Sequence, residues 1–330
     1  MSRLIPLGLV VFNFISLFEL TAGTVVVLNT VNAGLTGTAV REVREGKLAG
    51  FVYKENFLGQ AEYESGIIYN ISTRAPQTNN YVNINDPSAV STQINSISAT
   101  DNNRYGGMVY FGTELVLYRV YGFIRTSSGS YFTIEPPGAT RSEVHGLSGD
   151  KTVGWFDIGG VRKGFLHQGN SYSTGFTTLA FPGASSTEAR GVDGNYVVGN
   201  ALIGGVQYGF SYDISTGGYT PYRATGNLDT YFNDINDGMI VGTATSGGQN
   251  IPFLMQNGQY EFFTFQGNPT LSASGSSYDN GILAGSYVTS TGETLGYYAS
   301  VPEPSTSTFV ALSLIMLASA RRFQRLRTKQ

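Results

Sequence analysis

The segment from Val144 to Ala184 carries, in order, a turn pair (Gly149-Asp150), the triplet Thr152-Val153-Gly154, the run Gly164-Phe165-Leu166-His167, the run Phe176-Thr177-Thr178-Leu179 and the link Pro182-Gly183-Ala184. Outward from it the triplet recurs as Leu48-Ala49-Gly50, Tyr105-Gly106-Gly107, Val197-Val198-Gly199, Ile240-Val241-Gly242 and Leu283-Ala284-Gly285. The anchoring glycines are spaced 57, 47, 45, 43 and 43 residues apart. A period near 45 belongs to four-stranded propeller blades rather than to helical repeats.

Each copy has the same internal order. Ahead of the anchor stands a turn pair: Glu45-Gly46, Asn102-Asn103, Asp193-Gly194, Asp237-Gly238 or Asn280-Gly281 in the other five copies. Asp-Gly and Asn-Gly tolerate the positive φ that two-residue hairpins require. A second strand follows at Gly66–Tyr69, Gly122–Arg125, Gly209–Tyr212, Pro252–Met255 and Gly296–Ala299, as at Gly164–His167. A third is expected at Tyr81–Ile84, Tyr131–Ile134, Phe176–Leu179, Tyr219–Tyr222 and Phe262–Phe265. β-Branched and aromatic residues at these places fit a half-buried pleated surface.

The sixth copy stops short of its third strand. Thr24 to Leu28, with Asn32-Ala33-Gly34 behind it, aligns with Phe176 to Ala184 and supplies the missing piece. Closing a ring removes the edges that an open array leaves exposed. The chain is therefore expected to be all-β, a six-bladed β-propeller over residues 23–300 closed by its N-terminal strand. An open β-solenoid or two packed sandwiches are the competing architectures.

Composition narrows the chemistry. Of 330 residues, 41% are hydrophobic and 13% charged, with 43 Gly, 21 Tyr, 20 Phe, one Trp, no Cys and 2 His. So much stiff apolar surface excludes a disordered or coiled-coil chain. Without Cys there are no disulfides, thiolate metal sites or cysteine nucleophiles. Between residues 23 and 304 stand 14 Lys and Arg against 22 Asp and Glu, a balance of −8. Such a body is repelled by phosphate backbones, so nucleic acid is not an expected partner.

The two ends read as addresses. Arg3, the apolar stretch Leu4 to Phe18 and Leu20-Thr21-Ala22 form a signal peptide over residues 1–22, cut after Ala22, with an uncleaved anchor as the alternative. Residues 301–330 hold Pro302-Glu303-Pro304, an apolar run from Phe309 to Ala318 and a basic cluster of Arg321, Arg322, Arg325, Arg327 and Lys329. The prolines stop preceding structure and keep the segment extended. The apolar run is expected to be a single transmembrane helix and the arginines to stay cytoplasmic. From Ser305 to Ala320 such a helix is about 24 Å long, and arginine snorkelling covers part of the shortfall against a bilayer core of about 30 Å.

This tail resembles the PEP-CTERM sorting signal of Gram-negative bacteria, over Val301 to about Lys329. The resemblance implies processing by signal peptidase and exosortase, transient anchoring in the inner membrane, and delivery to the outer surface or exopolysaccharide matrix. Repeats three to five, about Val144 to Gly267, resemble bacterial extracellular HAF-type repeats. They depart from that pattern where Tyr121, Lys163 and Tyr208 precede Gly-Phe, a place the family gives to His. That resemblance speaks to fold and location, not to chemistry.

His145 and His167, 22 residues apart, would need a third ligand of suitable geometry to hold a metal and are expected to be loop or strand-face residues, so no metal or cofactor is expected. Asn233 to Gly238 superficially matches a calcium loop but lacks its acidic spacing and falls where every other repeat has a hairpin turn. No Gly-x-Ser-x-Gly elbow or phosphate loop is present. Glu62 with Glu64, or Asp234 with Asp237, would serve glycoside hydrolysis only if brought about 5–10 Å apart across a cleft; they are expected to be solvated loop charges. Insertions at Glu55 to Glu64 and Phe111 to Tyr121 lengthen the first two repeats, and long loops on one face carry specificity. Tyr105, Tyr110, Tyr118 and Tyr121 are the candidates for stacking on sugars, although most aromatics here sit at repeat positions that pack the core.

The expectation is a secreted or surface-anchored, non-catalytic repeat protein, a binding or structural component of the cell surface or exopolysaccharide matrix. The alternative is a propeller enzyme, a glycoside hydrolase or lyase acting on extracellular polysaccharide. The enzyme needs ionisable groups converging in one cleft with shifted pKa values; the scaffold needs none. An ice- or mineral-binding face would need a regular Thr array, which the irregular Thr spacing does not supply.

Overall fold

The structure, a computed structural model, describes residues 25–28, 37–55, 61–71, 81–98, 100–101, 103–111, 119–169, 171–224, 226, 228–263 and 272–301. The expected signal peptide and the sorting tail lie outside these residues. Among the described residues no helix is long and apolar enough to cross a membrane.

After β1 (Val25–Leu28) the chain forms six four-stranded antiparallel sheets. Blade 1 is β2 (Gly37–Arg44), β3 (Lys47–Glu55), β4 (Ala61–Asn70) and β5 (Tyr81–Ile84). Blade 2 is β6 (Ser91–Ile97), β7 (Tyr105–Phe111), β8 (Arg119–Arg125) and β9 (Tyr131–Ile134). Blade 3 is β10 (Arg141–Ser148), β11 (Lys151–Ile158), β12 (Val161–Gln168) and β13 (Phe176–Leu179). Blade 4 is β14 (Ser186–Asp193), β15 (Tyr196–Ile203), β16 (Val206–Asp213) and β17 (Gly218–Tyr222). Blade 5 is β18 (Asp229–Asn236), β19 (Met239–Ser246), β20 (Gln249–Gln256) and β21 (Gln259–Phe262). Blade 6 is β22 (Ala273–Asp279), β23 (Ile282–Val288) and β24 (Thr294–Ser300), completed by β1.

The closure is the one expected. Val25 pairs with Ala299, Val26 with Tyr298, Val27 with Tyr297 and Leu28 with Gly296. The first strands of the blades pack against one another and ring a central channel. One expectation needs correcting: the third strand of the fifth repeat is not Phe262–Phe265, because β21 ends at Phe262. Its hairpin turns tightly at Asn257-Gly258, both with positive φ, so pairing with β20 starts at once from Gln259. The first-repeat insertion is also not all loop, since β3 and β4 run long, to nine and ten residues.

Packing explains why the motif is written as it is. The aromatic at the second position of this strand is fully buried in five blades: Phe123, Phe165, Phe210, Phe253 and Tyr297 are all 0% exposed. Each such ring sits in a wedge between two blades, as Phe165 does with Ile124, Ile134, Val144 and Phe156. Burying a Phe stabilises by about 1.5–3 kcal/mol, so five repeated rings hold the blades together.

Strands within each blade alternate in direction, so the turns joining first to second strands emerge on one face of the disc. There Asp237-Gly238 and Asn280-Gly281 take positive φ, 49° and 71°, 47° and 76°, as a two-residue hairpin demands. Neighbouring turns touch: Glu45 N–H donates to Asp279 Oδ2 at 2.7 Å and Arg104 Nη1 to the Gly149 carbonyl at 2.7 Å. The hairpin turns between second and third strands, such as Gly159-Gly160 and Gly247-Gly248, belong to the opposite face.

Candidate functional site

In every blade the first strand slips register against the second by one residue. The skipped residues are Arg41, Asn95, His145, Arg190, Asn233 and Ser276. A β-bulge of this kind adds twist and re-aims a side chain. All six line one cavity of about 430 Å³ in the central channel.

The anchor glycines permit the bulge. A Cβ on Gly154 would lie 1.9 Å from the Glu143 carbonyl oxygen, and one on Gly199 2.0 Å from that of Glu188. The same close approach recurs at Gly50, Gly107, Gly242 and Gly285. The repeat's most visible residue therefore reports the bulge, and the bulge makes the site. This link was readable in the chain: the bulged residue stands nine places before the anchor glycine in five repeats, and twelve in the second. Because its side-chain type changes from blade to blade, a search for recurring residues passes over it.

Blades 3 and 4 supply one arc of the wall. Glu143 Oε1 lies 3.0 Å from His145 Nε2 and accepts from Asn95 Nδ2 at 3.0 Å. Arg190 pairs with Glu188, and Arg162 reaches the same carboxylate at 2.7 Å. Burial alone would raise both carboxylates. For Glu143 the neighbouring His145, Arg190 and Arg41 win and hold it at about 2. Arg190 and Arg162 likewise hold Glu188 below its ordinary range. Burial, then the Arg190 charge, depresses His145 and keeps its ring neutral. Its Nε2 also lies 3.1 Å from Trp155 Nε1, which can only donate. A ring nitrogen holds one proton or one lone pair, so Nε2 serves Glu143 or Trp155, not both. Trp155 itself is buried beneath Arg162, whose guanidinium carbon lies 3.6 Å from the ring centre.

The other arc belongs to blades 1, 5 and 6. Arg44 Nη2 lies 2.8 Å from Glu42 and 3.5 Å from Asp234. Glu42 also accepts from the Ile97 N–H at 3.2 Å, and Asp234 from Ser277 Oγ at 2.7 Å. Here a single guanidinium faces two buried carboxylates. Desolvation wins: Glu42 is pushed up to about 8, with Asp234 adding to the rise and Arg44 opposing it. Asp234 is raised as well, by burial against the pull of Arg44. The upper wall on this side is neutral, formed by Tyr231, Asn233, Thr243, Thr245, Asn250, Ser274 and Ser276.

The residues singled out from the chain fall in different places. Asp234 is not a solvated loop charge but a channel residue, 7% exposed, because the bulge at Asn233 turns it inward. Its expected companion Asp237 stays in the hairpin turn. Glu62 and Glu64 lie on β4. His167 is buried on β12 with Nε2 2.6 Å from the Ser171 carbonyl, apart from His145 on β10. Among the described residues no group of three or more His, Cys, Asp or Glu is placed to hold a metal ion. Tyr105 is buried under Arg125, and Tyr121 is half-buried against Phe111. Tyr110 lies on β7, and Tyr118 is outside the described residues. Arg41, Glu42, Asn95, Arg190, Asn233 and Ser276 are functional candidates that reading the chain missed.

No family model matches the chain, and no curated protein matches it. Among solved structures it is similar to a putative TolB from Agrobacterium tumefaciens, at 12% identity over 80% of this chain and 90% of that one, with a TM-score of 0.52. The β-propeller domain of the Trilobed protease from Pyrococcus furiosus matches at 11% identity over 81% and 94%, TM-score 0.48. An acylaminoacyl peptidase from Pyrococcus horikoshii matches at 12% identity over 82% of this chain, TM-score 0.48, and the chain spans 54% of its length. The likeness is one of fold.

Proposed function

We propose that the chain is an exported, non-catalytic binding component of the cell surface or exopolysaccharide matrix, with the channel as its ligand site. One observation carries the reading: six bulges deliver one polar side chain from each blade into a single cavity of about 430 Å³. That volume lies in the range of small-ligand sites, about 300–1,000 Å³. Its lining of Asn, Ser, Thr, Tyr and Arg suits the hydroxyls of a sugar. The acidic body and the terminal signals support an extracellular setting, with signal peptidase and exosortase as processing partners and the inner membrane as a transient host. Replacing Pro302 and Pro304 by Ala should leave a membrane-bound precursor, read by cell fractionation.

A second reading has its own observation. Ionisable groups with shifted pKa values do converge in the channel, as a propeller glycoside hydrolase or lyase requires. Yet Glu42 and Asp234 are engaged by Arg44, Ser277 and the Ile97 and Ile235 N–H groups. These bonds join blades 1, 2, 5 and 6, a structural employment for both carboxylates. The deciding experiment is a glycan-array screen of residues 23–301 with turnover assays on every hit. Binding without turnover is the expected result; hydrolysis or elimination at enzymic rates would hand the channel to the second reading.

A further inference from the structure

The channel is unequal along its axis. At one end its lining includes Thr245 and Asn250, which flank the β19–β20 hairpin, and Asn250 is exposed. The mouth therefore lies on the face that carries the connections between second and third strands. Deeper in, Glu42 is 3%, Arg44 5%, Asp234 7% and Asp279 7% exposed. Four charged side chains on the ring of first strands stay dry only where the channel is shut to water from the turn face. The seal is visible: Arg44 of blade 1 reaches Asp234 of blade 5, and Asn236 Nδ2 of blade 5 donates to Asp279 of blade 6 at 2.9 Å. These contacts draw blades 1, 5 and 6 together across the turn end, so that among the described residues the cavity opens toward the other face, as a pit.

One wall residue asks for a particular partner. Asn95 is 4% exposed and lines the cavity. Its Nδ2 donates to Glu143 Oε1 at 3.0 Å and to the Val144 carbonyl at 3.1 Å, which fixes the amide orientation. Its Oδ1 has no partner among the described residues. A buried acceptor left in this way wants an O–H or N–H donor.

Resting on the polysaccharide-binding reading, we infer that the pit takes the free end of a polyhydroxylated chain, a terminal sugar unit held end-on with a hydroxyl donating to Asn95 Oδ1. An internal unit continues in two directions and needs two exits; the pit offers one.

The test uses residues 23–301, the ring closed by its own first strand. Probes are α-glucan, β-glucan, xylan, mannan and galacturonan, each intact and after partial acid hydrolysis to equal mass with more ends, plus cyclic glucans that have none. Binding is followed by calorimetry and by the emission of the single Trp155. End-on capture predicts that sites filled per unit mass rise in proportion to chain ends, that cyclic glucans stay unbound, and that Asn95→Leu weakens binding at least tenfold. Because Asn95→Leu also removes bonds to blade 3, Thr245→Val at the mouth serves as a second variant, expected to weaken binding several-fold with an unchanged unfolding midpoint. Occupancy that follows mass instead of ends, or cyclic glucans binding as well as linear ones, overturns the end-on inference and leaves polysaccharide binding standing. No binding to any polymer of the panel overturns both.

Discussion

The two arcs of the channel use the same residue types and treat them in opposite ways. In blades 3 and 4, Glu143 and Glu188 lie among Arg190, Arg162, Arg41 and His145, and both are held below the ordinary carboxylate range. In blades 1 and 5, Glu42 and Asp234 share Arg44, and both are raised. Glu143 is as buried as Glu42 and Asp234, whereas Glu188 is half-buried; the main difference between the arcs is the supply of positive charge. Where cations match carboxylates, Coulomb attraction offsets desolvation; where one cation faces two, it does not. One arc is a satisfied ionic wall, the other a strained one that prefers a proton.

The largest expected effect comes from removing the scarce cation. Arg44→Met leaves two buried carboxylates unpaired and should cost about 3–5 kcal/mol, measured by urea unfolding at pH 7 with Trp155 emission as the signal. On the other arc Arg162→Met leaves Glu188 its Arg190 partner, and about a third of the Arg162 side chain is exposed; about 1 kcal/mol is expected. Equal losses would break the contrast between the arcs.

Next comes the bulge that both arcs depend on. Gly199→Ala drives a Cβ onto the Glu188 carbonyl and should cost about 1–3 kcal/mol, and more if the strand cannot shift. Gly204→Ala, in open space at φ +59°, carries only the conformational penalty of about 1 kcal/mol. If Gly199→Ala proved as mild as Gly204→Ala in thermal melts, the bulge would not be what the anchor glycine protects.

The pH dependence of stability separates the arcs by sign. Glu42 and Asp234 bind protons more tightly when folded. Their contribution is complete below the ordinary carboxylate range and is lost as pH rises through the folded values, about 8 for Glu42. Glu143 and Glu188 do the reverse: their contribution is present above the ordinary range and is lost as pH falls toward the folded values, about 2 for Glu143. Each proton difference gives a slope of at most about 1.4 kcal/mol per pH unit. Unfolding from pH 3 to 9 should show an alkaline limb that Glu42→Gln flattens and an acid limb that Glu143→Gln flattens. A variant that changes the wrong limb reverses the assignment.

The smallest effect is spectroscopic. His145, kept neutral by burial and Arg190, should take up a proton only below the ordinary histidine value of about 6.5. Emission of Trp155, whose Nε1 lies 3.1 Å from that ring, should fall with this protonation. His145→Asn should abolish the step, and a step that survives it belongs to another group.

Much of the architecture could be read in the chain. Gly-Phe runs and Asn-Gly or Asp-Gly turns are local signals, since a buried ring and a positive φ are each met by one residue type. Even the pairing of Val25 with Ala299 followed from a missing third strand in the sixth copy. The site was less visible. Asp234 read as a loop charge beside Asp237, although one residue of bulge separates a buried channel carboxylate from an exposed turn. Phe262 to Phe265 read as a strand because three Phe outweigh a tight turn at Asn257-Gly258 in any pattern based on apolar residues.

The amino-acid order by itself determined the number of blades, the turns between strands and the closure of the ring, because repeats encode short-range geometry and a ring needs no other instruction. Only the tertiary structure decided which side chains meet in the channel. Glu42 and Asp234 stand 192 positions apart, and nothing local to either says that they share Arg44. Their proton affinities depend on burial and on charges from other blades, quantities that exist only once the ring has closed.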